Sequence, residues 1–141
     1  MLNKSNNGRT RRINPKFGFL GFLGFAGFLG IWTYQVSHDT FPFIFFAFFG
    51  FFSFFFEGKM SNILMDERYM ENRVKAQLTA FRVGCVLSFL TLAAISMDRP
   101  FTTDSSKLIF VTVALSLIIA MVLFLTEFLL YYYDSKDTCE D

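Results

Sequence analysis

Histidine occurs once in this chain, cysteine twice and proline three times, and each scarcity removes a class of function. The single His38 stands beside Asp39 in a polar turn, so there is no Ser-His-Asp set and no HExxH zinc helix. Cys85 lies in an apolar run and Cys139 in the polar tail. With no CxxC pair between them they suggest neither a disulfide framework nor a metal site. Glycine is plentiful, but its spacing matches neither a phosphate loop nor the dinucleotide fingerprint. The inventory reads as a non-enzyme without cofactor or metal. Charge, finally, is almost absent from four long stretches, so a formal net charge of +1 conceals strong segregation along the chain.

What is present is apolar surface. Of 141 residues 53% are hydrophobic and 22 are Phe, more than a soluble domain of this size can hide. A spanning helix needs roughly 20 apolar residues. Residues 17–36 meet this without a charge, 76–97 with Arg82 as the one interruption, and 108–133 with Glu127 as the one interruption. Residues 41–56 hold 11 Phe in 16 positions. As an α-helix that run reaches only ~24 Å, which predicts local bilayer thinning or polar ends drawn inwards. Single strands cannot cross lipid with their backbone groups unpaired, so all four runs are read as helices.

The expected fold is an all-α integral membrane protein of four transmembrane helices in two hairpins, 17–56 and 76–133. Ser37-His38-Asp39-Thr40 makes the first turn, with Asp39 or Thr40 as cap and Pro42 in the following first turn. Asp98-Arg99-Pro100 stops the third helix and Asp104-Ser105-Ser106 offers caps for the fourth. Of 13 Lys and Arg, 11 fall before the first run, between the second run and the start of the third (counting Arg82 near its inner end), or after the fourth. The positive-inside rule places these, and both termini, in the cytoplasm of a cell-membrane protein. Trp32 and Tyr34 then mark the outer interface and Tyr131, Tyr132 and Tyr133 the inner one. A cleaved signal peptide is the rival reading of the first run, but the run is too long and no small-x-small site follows it.

Three features carry functional expectations. Gly18, Gly21, Gly24, Gly27 and Gly30 recur every third residue, as do Ala47, Gly50 and Ser53. Small residues let membrane helices approach closely, so both sets are read as helix-packing surfaces. On an α-helix such a stripe drifts by about 60° per step. An intramolecular groove crossed by a neighbour's Phe rings is preferred to a homo-oligomer seam. By this reading Gly24→Leu is disruptive and Phe52→Leu, among many equivalent rings, is milder. Arg82 and Glu127 both lie near the inner boundary and either form an intramembrane ion pair or reach the headgroups separately.

The third feature is the charged linker 57–81, which overlaps the start of the third run. Ile63, Met70, Val74, Leu78 and Phe81 recur at helical spacing, and Glu71 precedes Lys75 in the favoured i, i+4 order. The third span is therefore expected to begin as a cytoplasmic amphipathic helix from about Ser61. Lying on headgroups is its bland role; Met65 and Met70 also suit it to a partner's grip. The arm 1–16 is basic and drawn to anionic lipid, whereas the tail 134–141 is acidic and stays free. Direct nucleic-acid binding by the arm explains its charge less well than topology does.

Asp66-Glu67-Arg68, Lys75-Ala76 and Thr79-Ala80-Phe81 leading straight into a span resemble a motif of small four-helix membrane-protein families of bacteria and archaea, domains of unknown function. Genes of these families often adjoin a helix-turn-helix or LytTR-type DNA-binding regulator, and some streptococcal members restrain it. The resemblance implies a membrane-bound anti-activator that binds a cytoplasmic transcription regulator, with Asp66, Glu67, Arg68, Met70, Glu71 and Val74 as the partner-binding residues. The alternative is an accessory or immunity subunit for a transporter or membrane-active peptide, acting through its helices in the bilayer.

Overall fold

The computed structural model of the chain describes residues 9–10, 14–61, 63–97 and 103–139. Most of the basic arm, the Asp98-Arg99-Pro100 stop and the last residues of the acidic tail lie outside the described residues. Four helices are long and apolar enough to cross a membrane: Pro15–Ser37, Phe41–Lys59, Glu67–Ser96 and Asp104–Lys136. The last of these continues as helix to Cys139. Two short strands, β1 (Arg9–Thr10) and β2 (Leu64–Met65), pair antiparallel and tie the arm to the linker.

The first two spans depart from the expected α-helix. Pro15–Phe28 and Phe41–Phe52 are 3-10 helices, continued as α-helix over Leu29–Ser37 and Ser53–Lys59. Such runs rarely exceed four residues. Here the sequence has the period that this geometry rewards. At 3.0 residues per turn, positions i and i+3 eclipse, so a residue type repeated every third position forms a straight column. The Gly-Phe-Leu triplets end at Gly30 and the Ala47-Gly50-Ser53 series ends at Ser53, and α-helix takes over within a residue of each end. The expected drift of the glycine stripe is thereby corrected to no drift. The short second run is corrected too: at ~2.0 Å per residue in its 3-10 part, Phe41–Phe56 extends about 30 Å and matches the hydrocarbon core.

The turn between these spans is closed by His38, whose left-handed backbone (φ 54°) ends the first helix. Thr40 occupies the next cap position without a side-chain cap bond. In the fourth helix the expected caps are already helical, and the carbonyl of Thr103 accepts the amides of Ser106 and Lys107.

Among the described residues, helix contacts run in a row: first to second, second to fourth, fourth to third. Among the described residues, the backbone of the first span approaches neither the third nor the fourth helix, and that of the third approaches only the fourth. Antiparallel packing of the first pair is fixed by Gly21 against Phe55, Gly24 against Phe52 and Gly27 against Phe49. The small column of the second span turns the other way, and Gly50 lies against Ala120 and Leu123 of the fourth helix. Phe56 reaches the same helix through Phe124, Phe128 and Tyr131.

Candidate functional site

The linker and the start of the third helix share a buried hydrophobic cluster with the fourth helix. Met60 and Tyr69 are fully buried with Ala76 and Leu130, and Ile63, Met65, Leu129, Tyr131 and Tyr133 pack around them. This cluster seats the linker on the ends of the third and fourth helices. Lys59 adds its ammonium over the Tyr131 ring, 5.6 Å from the centroid.

The third helix starts at Glu67 and not near Ser61, because Asp66 caps it: Asp66 Oδ1 accepts the Tyr69 amide at 2.7 Å. Glu67 then sits in the first turn, where the helix dipole favours an acid. Lys75 pairs with Glu71 at 2.9 Å, both largely exposed. From Glu67 one unbroken helix runs to Ser96, so the amphipathic segment and the span are a single rigid rod.

The partner-binding residues read from the sequence are placed as follows. Glu67, Arg68 and Glu71 are exposed, and Asp66 is exposed while its carboxylate is used by the cap. Met70 and Val74 are about half exposed and share a face with Leu78 and Phe81. Ile63 and Met65 are not on that face; they precede the helix and pack into the inner cluster.

Arg82 is exposed in the wall of a depression between the third and fourth helices, whereas Glu127 is half-buried with its Oε2 atom enclosed.

The glycines divide by neighbour. A Cβ built on Gly21, Gly24 or Gly27 comes within 2.7 Å of a Phe ring carbon, and on Gly30 within 2.8 Å of the Pro42 carbonyl. On Gly18 the nearest atom is 3.6 Å away, an ordinary contact. The rings above the glycines are held by their own column: Phe49, Phe52 and Phe55 stack in sequence. Each also meets a ring of the first span edge-on, Phe28, Phe25 and Phe22 respectively.

Four threonine hydroxyls of the third and fourth helices are used within their own helix. Thr79, Thr91, Thr112 and Thr126 each donate to the carbonyl four residues back, at 2.8–2.9 Å.

Two features were missed in the sequence. The buried seam of the third helix is Tyr69, Asn72, Ala76, Ala80 and Gly84. Its signal was small residues spaced by four, the usual mark of close helix approach in membranes. The other is the depression beside Arg82, whose signal was Lys75 and Arg82 seven residues apart on one helical face.

Four spanning helices with Phe, Leu and Trp exposed along them describe a chain solvated by lipid. The family described as predicted membrane protein, DUF2178, matches residues 12–137. The chain belongs to this family. The match covers all four helices of this DUF2178 protein together with its linker, and membrane residence is what the family description states. Comparison of the DUF2178 chain with curated proteins and with solved structures gives no match.

Proposed function

We propose that this protein is a non-enzymatic anchor that holds a cytoplasmic transcription regulator at the cell membrane and so keeps it from DNA. Both termini and the linker face the cytoplasm in this reading, and the helices form two hairpins. The observation that carries it is the exposed face of Met70, Val74, Leu78 and Phe81, flanked by Glu67, Arg68 and Glu71, on a rod rooted in the bilayer. Apolar anchors with a charged rim suit a modest protein interface. Restraint by localisation needs no active site, in keeping with the residue inventory.

The test reverses Glu67, Arg68 and Glu71 together and leaves Asp66 in place, so that the helix cap survives. Expected are intact membrane insertion, loss of the co-purified DNA-binding protein, and activation of a reporter driven by the neighbouring regulator's promoter. Unchanged partners with a silent reporter would refute it.

A second reading, an accessory or immunity subunit for a transporter or membrane-active peptide, is favoured by a different observation. Among the described residues, the two outer helices of the row each leave a long exposed apolar flank with no helix packed on it. Purification in mild detergent separates the two, since this reading expects an integral membrane protein to accompany the chain in place of a soluble one. Self-association along the same flanks is the homo-oligomeric variant, and it appears as a multiple of the chain mass in the same preparation.

A further inference from the structure

The third and fourth helices enclose a depression of about 390 Å³. Its wall carries three cations, Lys75, Arg82 and Lys136, with Thr79, Tyr133 and Leu78 between them. The buried Asn72 closes its inner side. No acid is among the lining residues. Lys75 in this wall pairs with Glu71 at 2.9 Å. That pair is largely exposed on both sides, so it is weak and open to exchange for a better anion.

Depth along the rods decides what kind of anion fits. Arg82 is the last formal charge of the third helix before an uncharged stretch that runs to Ser96. On the fourth helix the apolar stretch ends at Tyr133, and Lys136 lies one turn beyond it. The cations therefore ring the level where hydrocarbon gives way to headgroups. Below Arg82, on the same side of the third helix, Val86 and Phe89 are 59% and 70% exposed. A basic rim above an exposed apolar track matches a molecule that is anionic at one end and a hydrocarbon chain at the other.

We propose that this depression is a binding site for an anionic phospholipid. Its phosphate is held by Arg82 through the planar fork that suits phosphate geometry, and by Lys75 and Lys136 as point charges. The Tyr133 hydroxyl lies in the same wall as a further donor. An acyl chain follows Val86 and Phe89. The lipid bridges the third and fourth helices and so fastens the third helix to the rest of the chain. This rests on membrane placement and not on the regulator reading.

The test measures thermal unfolding of the purified full chain in a neutral detergent on addition of dioleoylphosphatidylglycerol, dioleoylphosphatidylcholine, or inorganic phosphate. Native mass spectrometry of the same samples counts retained lipid. Expected is a rise in midpoint and a retained lipid with phosphatidylglycerol alone. The variant K75Q/R82Q/K136Q should bind at least about tenfold more weakly, since each cation near the surface contributes on the order of 1 kcal/mol. Should that variant be too unstable to compare, K75Q/K136Q still reports, and K16Q/K107Q removes two cations outside the depression and should show the wild-type lipid shift. Equal retention by the triple variant, or an equal shift with phosphatidylcholine, overturns the site. A full shift with inorganic phosphate overturns the lipid in favour of a soluble anion.

Discussion

Gly24 and Phe52 give the residue scale its sharpest comparison. A methyl on Gly24 collides with a ring that cannot retreat, because Phe49 and Phe55 stack on either side of it and Phe25 meets its edge. Gly24→Ala should therefore cost about 1–3 kcal/mol as overpacking, while Gly18→Ala should cost little, having ordinary space for its Cβ. Thermal midpoints in one detergent decide this, and equal losses would dismiss the column as a packing device. Phe52→Leu, which the composition alone marks as mild, should lose on the order of 1 kcal/mol with the ring pair. Eleven Phe in one segment look interchangeable in sequence; their neighbours make them different. At the turn, His38 holds a left-handed backbone that glycine adopts without strain. His38→Gly should raise the midpoint, offset in part by loss of the edge contact to Tyr34.

At the scale of elements, the helices were legible and their type was not. Charge-free runs located all four long apolar helices, because lipid penalises charge. Only the linker boundary moved, and the reason is local: Asp66 can cap, Ile63 packs into the buried cluster and Leu64–Met65 pair with Arg9–Thr10 before it. The triplet repeat was in plain view but was interpreted on a 3.6-residue wheel, where it drifts. Adding one alanine between Gly24 and Phe25 should swing every later column by a third of a turn and break the pairing with the second span. Adding a whole Gly-Phe-Leu triplet should preserve the columns and retain more stability. Monodispersity and midpoint of the two insertions measure this, and the opposite order would show that the segment is α-helical. The candidate site was half legible. Helical spacing found the Met70 and Val74 face, whereas the inward turn of Ile63 and Met65 depends on a strand pairing with Arg9–Thr10 that no local pattern announces.

For the whole molecule, the order first, second, fourth, third predicts which cysteine pairs can cross-link within one chain. Gly50→Cys with Ala120→Cys should join in a monomer, while Phe25→Cys with Phe89→Cys should join only between copies. Reporter fusions after residues 40 and 102 should read as outside, and near residue 62 and at Asp141 as cytoplasmic. A row one helix thick also has consequences for what holds it together. Within the spans only 11–22% of the most apolar windows is buried, so there is scarcely an interior in the sense a compact bundle has one. The surrounding hydrocarbon does the work of a core, pressing on both broad faces at once. Such a wall gains its rigidity from its solvent. Its stability should follow acyl-chain length and order more closely than it follows any single contact between its helices.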